Sequence, residues 1–186
     1  MRLLVVTDIF GDCAGLKGLL RDLAAVDTLI QVIDPYQGQA QNFTDEQQAY
    51  SAYSQQCGHD TYAERVANTL QSAAQPFDVV ISFSAGATAL WRNLANPKVT
   101  KIKQAIMFYP GQIHRHLALE PQMPSQIIFG NSEPHFAVAD ICNQLHQKPA
   151  VTVSVTPFAH GFLNSASNAF NEAGYQQYLA VLKQLF

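Results

Sequence analysis

The sequence predicts an α/β fold: a three-layer, doubly wound sheet of about six parallel strands in one domain spanning residues 1–186. Three observations lead there. Six apolar runs of about five or six residues recur along the chain, rich in Val, Ile and Phe, and they are bounded by Gly, Pro, Asp or Ser as buried strands are. Segments with apolar residues at helical spacing lie between them, and regular alternation of strand and helix gives a parallel sheet covered on both faces. A chain of 186 residues with 48% hydrophobic content can bury a real core and fits a single domain.

In chain order, the first strand is Leu3–Thr7, and Leu16, Leu19, Leu20 and Leu23 mark the helix after it. The second strand is Thr28–Ile33. Asp34–His59 follows, rich in Gln, Ser and Tyr and longer than an ordinary connection, so it is either a functional lid or contains a small helix built around Ala49, Tyr50, Ala52 and Tyr53. Val66, Leu70 and Ala73 mark the next helix. The third strand, Asp78–Ser82, passes directly into a helix marked by Ala87, Leu90 and Leu94. The fourth strand, Lys103–Tyr109, is followed by the loop Pro110–Pro124, and the fifth is Ser125–Gly130. Val138, Ile141 and Leu145 mark a helix, Val151–Val155 is the sixth strand, and Tyr178, Leu179, Leu182 and Leu185 mark the closing helix. Val79-Val80-Ile81 and Ile127-Ile128-Phe129 show no polar alternation, as strands covered on both faces require.

The charge balance excludes several function classes. Charged residues are only 13%, and the net charge is −3, which offers neither a nucleic-acid footprint nor a polybasic membrane patch. Cys13, Cys57 and Cys142 form no CxxC pair, so neither a disulfide framework nor a thiolate zinc site is expected. The apolar run at Leu3–Val6 turns polar at Thr7-Asp8, too soon for a signal-peptide core or a membrane span. The expectation is a cytoplasmic protein with free thiols, no nucleic-acid partner and no membrane partner.

The most informative stretch is Val79-Val80-Ile81-Ser82-Phe83-Ser84-Ala85-Gly86-Ala87. A strand running through a Ser flanked at two-residue spacing by small residues into a helix is the pattern of a nucleophile elbow, with Ser82 where G-x-S-x-G has its first Gly. The turn is so tight that larger side chains at either flank would collide. Ser-rich strand-to-helix turns also serve as phosphate cradles or plain helix caps. A serine nucleophile needs a base, and the base needs an orienting acid. Glu133 follows the fifth strand and His160 the sixth, so Ser84, Glu133 and His160 each fall just past the C-terminal end of a strand, where open α/β sheets place functional residues, in the order Ser, acid, His.

These motifs together resemble the dienelactone hydrolase family of the α/β-hydrolase superfamily. Thr7-Asp8-Ile9-Phe10-Gly11 resembles the family's oxyanion-side loop, and Val32-Ile33-Asp34-Pro35-Tyr36-Gln37-Gly38 resembles its segment of the P-D-x-Y-x-G type. The elbow at Ser84, the acid loop at Glu133 and His160-Gly161-Phe162 complete the set. The resemblance implies a minimal α/β-hydrolase fold lacking the first two strands, with sheet order 2-1-3-4-5-6 and a topological switch between strands 1 and 3. It also implies an oxyanion hole from the backbone N–H groups of Ala85 and of Ile9 or Phe10, and a serine hydrolase that works through an acyl-enzyme with no cofactor and no metal. Family members that cleave dienelactones use Cys where Ser84 stands, and carry an Arg soon after the His. Here no basic residue follows His160 before Lys183, so a neutral ester, thioester or lactone is the expected small-molecule substrate.

Several residues have competing readings. Asp140 is a rival to Glu133 for the acid, but it falls within an apolar helix pattern, so loop placement favours Glu133. Asp8 either holds the oxyanion loop, as an acid does at the matching position in the family, or is an N-cap or turn residue. Cys13 lies near the loop but has no elbow, and reads as a buried thiol. His114 and His116 alternate like metal ligands without a third ligand and read as surface residues. Trp91 reads as core packing. The alternative function is a non-catalytic ligand- or partner-binding protein on the same fold, with Leu3–Thr7 or Thr28–Ile33 near an exposed sheet edge where a second copy could pair as a homodimer.

Overall fold

A computed structural model of the chain describes residues 1–24 and 27–185. Among these residues, six strands form one sheet with β1 at Arg2–Val6, β2 at Leu29–Ile33, β3 at Val79–Phe83, β4 at Ala105–Phe108, β5 at Ser125–Phe129 and β6 at Val151–Val155. The order is β2-β1-β3-β4-β5-β6, and every pairing is parallel, with Val6 opposite Ile33 and Ser82, and Phe83 opposite Phe108. This is the expected six-stranded, doubly wound parallel sheet. The chain reverses its direction of winding between β1 and β3, so the ends of those two strands open a crevice rather than carrying a connection.

Side chains alternate across the sheet, and both faces are covered. Leu3, Val5, Ile81, Ile106 and Phe108 pack beneath α1 (Ala14–Leu23) and α6 (Glu172–Lys183), through Leu16, Leu19, Leu23, Leu179 and Leu182. Leu4, Val6, Val80, Met107 and Ile127 pack beneath α3 (Gly58–Ser72), α4 (Ser84–Leu94) and α5 (Val138–Leu145), through Val66, Leu70, Leu90, Leu94 and Leu145. Central strands therefore need apolar side chains at every position, and β3 is buried throughout. Of the two strands expected near an edge, β2 is the edge strand, with Leu29 exposed, while β1 is interior. Among the described residues no helix is long and apolar enough to cross a membrane.

The stretch Asp34–His59 resolves in favour of a helix. Its first residues form a turn, Glu46–Gln56 is α2, capped by Asp45 Oδ1 accepting from Gln48 N at 2.8 Å, and α3 begins at Gly58. α2 buries only Ala49 and Tyr53, so it carries almost no apolar period. Trp91 is wholly buried in the core and donates its indole N–H to the His116 carbonyl at 2.9 Å, which ties the Pro110–Pro124 loop to α4. His114 and His116 are half-buried rather than surface residues. The His114 ring packs on Phe136, with centroids 5.0 Å apart, because the loop folds a short 3-10 turn, Ile113–Arg115, over the core at Ile113.

Candidate active site

β3 delivers Ser84 to the C-terminal edge of the sheet at the crevice beside β1. Phe83 is the last extended residue, and Ser84 begins α4 with φ +50°, a left-handed conformation that is strained for any residue with a Cβ. Gly86 shows why the turn can be this tight. A Cβ there would lie 2.2 Å from the Thr7 carbonyl oxygen and 2.7 Å from that of Val6, so α4 leaves the elbow in direct backbone contact with the end of β1. Ser82, two residues before the elbow, is buried in the sheet and donates through Oγ to the Ile106 carbonyl at 3.3 Å.

Two further loops bring the other predicted residues to Ser84. Gly130 follows β5, and a Cβ there would lie 2.8 Å from His160 N, so the segment after β6 crosses directly over it. His160 Nε2 lies 2.8 Å from Ser84 Oγ, and His160 Nδ1 lies 2.8 Å from each carboxylate oxygen of Glu133. The Glu133 side chain is only 1% exposed, against 31% for His160. With Nδ1–H donated to the carboxylate, Nε2 is left to accept the Ser84 hydroxyl proton. The Tyr109 ring, its centroid 4.8 Å from that of the imidazole, supports His160 from β4. Asp140, the rival acid, is exposed at the start of α5.

The loop after β1 supplies the opposite wall. Phe10 N–H is donated to Asp8 Oδ1 at 2.9 Å, whereas Ile9 N–H has no acceptor among the described residues. Ala85 is the second residue of α4, where a helical N–H has no carbonyl to reach. Asp8 is buried and also accepts from Asn164 Nδ2 at 2.8 Å. Burial raises its carboxyl pKa above the ordinary value, against the lowering effect of the bonds from Asn164 and Phe10. Through these bonds Asp8 ties the loop after β1 to Asn164, and its bond from Phe10 N–H is also that of a turn residue. Cys13 is the N-cap of α1, its Sγ accepting from Leu16 N at 3.5 Å, and burial pushes its thiol pKa up, away from the thiolate form a nucleophile needs.

A cleft of about 240 Å³ opens over Ser84, walled by Ile9, Ala85, Tyr50, His59, Gln112 and His135 among others. Tyr50 on α2 and His59 at the start of α3 were not visible as site residues in the sequence, because no motif marks them and only the folded chain brings them over Ser84. Asn164 was visible only as the absence of an Arg after His160.

The family model for the dienelactone hydrolase family matches residues 2–186 of the chain. An uncharacterized protein of Bacillus subtilis, YczH, is 29% identical over 141 residues, covering 75% of this chain and 68% of its own length. Among solved structures, a dienelactone hydrolase-like promiscuous phosphotriesterase from metagenomic libraries superposes with a TM-score of 0.66 at 16% identity, over 100% of this chain and 86% of that one. The carboxylesterase CesB (YbfK) of Bacillus subtilis superposes with a TM-score of 0.59 at 10% identity, over 99% and 81% of the two chains.

Proposed function

Because the chain belongs to the dienelactone hydrolase family, we propose that it is a serine hydrolase in which Ser84, His160 and Glu133 act as a catalytic triad on a small, neutral ester or thioester. The observation that carries this reading is the unbroken relay of 2.8 Å contacts from Ser84 Oγ through both imidazole nitrogens to a buried carboxylate, with the serine presented on a strained elbow.

The chemistry follows from the geometry. Ser84 Oγ attacks the substrate carbonyl carbon as its proton passes to His160 Nε2, and the carbonyl π electrons move onto oxygen. Glu133 accepts from Nδ1–H, fixes the tautomer and stabilises the imidazolium. The oxyanion collapses, the acyl–heteroatom bond breaks, and the leaving alcohol or thiol takes the proton from Nε2. Water then gives a proton to Nε2 and adds to the acyl-enzyme; a second collapse expels Ser84 Oγ, which recovers that proton. Backbone N–H groups of Ala85 and the β1 loop face the developing oxyanion, and one such donor contributes about 3–4 kcal/mol to the transition state.

The substrate class rests on the cleft. A cleft of about 240 Å³ and a second cavity of about 80 Å³ both border Ser84 and His160, at the small end of the usual ~300–1,000 Å³ of ligand pockets, which suits a small substrate. Among the described residues no lysine or arginine lines the two cavities that border Ser84 and His160, so the site offers neither as a partner for a substrate carboxylate. Ser84→Ala should lower hydrolysis of p-nitrophenyl acetate by at least roughly 10³-fold and abolish labelling by a fluorophosphonate. Labelling that survives the substitution overturns the assignment of the nucleophile.

A further inference from the structure

We propose that Tyr36 is a positioning residue of the oxyanion hole, and that the loop donor it sets is Ile9 N–H rather than Phe10 N–H. The inference rests on the serine-hydrolase reading above and adds a part to it.

The peptide joining Ile9 to Phe10 is held at both poles. Phe10 N–H is donated to Asp8 Oδ1 at 2.9 Å, and the Ile9 carbonyl accepts from the Tyr36 hydroxyl at 2.7 Å. A peptide group is a rigid plane with N–H and C=O opposed, so one fixed at both ends cannot swing its N–H toward a ligand. The preceding peptide is oriented the other way. The Asp8 carbonyl faces back into the loop, accepting from Gly11 N at 3.3 Å and Thr7 Oγ1 at 3.0 Å. Ile9 N–H, opposed to that carbonyl, has no acceptor among the described residues, and Ile9 borders the cleft beside Ser84 and Ala85. An amide at the rim of the cleft with no acceptor in the folded chain is free to donate to a bound oxyanion.

Tyr36 is built to hold this position. It follows β2, which is separated from β3 by β1, so it does not border the cleft and acts through the loop. Asp34 fixes its turn, Oδ1 accepting from Tyr36 N at 2.6 Å and Oδ2 from Gly38 N at 2.7 Å. The ring is buried and packs against Gly11, where φ is +63° and a Cβ would come within 2.5 Å of Tyr36 Cδ2. The glycine of the Asp8–Gly11 loop and the tyrosine of the Asp34–Gly38 turn therefore form one device. The Ala49 carbonyl, at 3.4 Å from the same hydroxyl, is the longer and weaker contact.

Tyr36→Phe keeps the ring on Gly11 and removes only the hydroxyl. Losing an oxyanion donor outright costs roughly 10²–10³ in kcat, and Tyr36 acts one bond away. The variant should therefore lose about tenfold in kcat for p-nitrophenyl acetate with KM within about twofold. Its affinity for phenylboronic acid, which forms a tetrahedral anion on Ser84, should fall by the same factor. An unchanged kcat, or a rise in KM alone, overturns the proposal. A second measurement uses the native protein and does not depend on how the variant folds. On binding phenylboronic acid, the amide protons of Ile9 and Ala85 should shift downfield in ¹⁵N-resolved NMR while that of Phe10 stays in place; a moving Phe10 and a static Ile9 overturn the proposal. Ser84→Ala separates the two levels. If it binds the boronic acid as tightly as the native protein, the nucleophile assignment fails, whereas loss of binding there with no effect of Tyr36→Phe retires the clamp alone.

Discussion

His160 Nδ1 lies 2.8 Å from both oxygens of Glu133, and no other hydrogen-bond partner reaches that carboxylate among the described residues. A carboxylate buried to this degree depends on its single donor, and the imidazole in turn takes its tautomer from the carboxylate. Glu133→Gln should therefore keep the fold and lower kcat by roughly 10³–10⁴-fold, the size of effect seen when a triad acid becomes an amide. Asp140→Asn, exposed on α5, should leave kcat unchanged. Ester-hydrolysis kinetics on the two purified variants decide between the acids, and the reverse ranking would assign the role to Asp140.

Ser84 holds φ +50° in a position where the chain must turn from β3 into α4. That strain belongs to the backbone and not to the hydroxyl, so removing the hydroxyl does not relieve it. Ser84→Ala retains a Cβ in the left-handed region, whereas Ser84→Gly does not, and glycine's entropy in the unfolded chain offsets only part of the gain. The Gly variant should be more stable than the Ala variant by about 1 kcal/mol, read from urea unfolding. Equal stabilities would show that the elbow is not strained in solution.

Much of this was legible in the sequence because strands buried on both faces leave continuous apolar runs. β3 and β5 were readable for that reason, and their ends placed Ser84 and Glu133 on one edge of the sheet. α2 was readable only as one of two alternatives, since Glu46–Gln56 has two buried residues and is held by the Asp45 cap and the packing of Tyr53 rather than by an apolar stripe. Distances between loops were also invisible. Nothing in spacing along the chain indicates that Tyr36 Oη reaches the Ile9 carbonyl, or that Asn164 Nδ2 reaches Asp8 across 156 positions. Gly86 marks the limit from the other side: its need for a small residue was expected from the turn, but the contact that enforces it is with β1.

Asp8 makes the stability of this protein respond to pH with a sign opposite to that of an ordinary ion-paired carboxylate. It is buried and faces Asn164 Nδ2 and Phe10 N–H, with His160 acting to lower its pKa and Glu46 to raise it, and burial is the strongest influence on it, raising its pKa in the folded state. The unfolded chain ionises this group at the ordinary carboxyl value near ~3.9. The folded form therefore binds the extra proton between that value and the raised one. The stabilisation is complete below the ordinary value and is lost as pH rises through the raised one. Asp8→Asn carries no titration and adds only a pH-independent offset from rearranging its amide against Asn164. Urea unfolding of both proteins from about pH 4 to about pH 8 should show native stability falling relative to the variant as pH increases, with a slope of up to about 1.4 kcal/mol per pH unit. A constant difference across that range would mean that the carboxyl ionises alike in both states, and that the hydrogen bonds from Asn164 and Phe10 fully offset its burial.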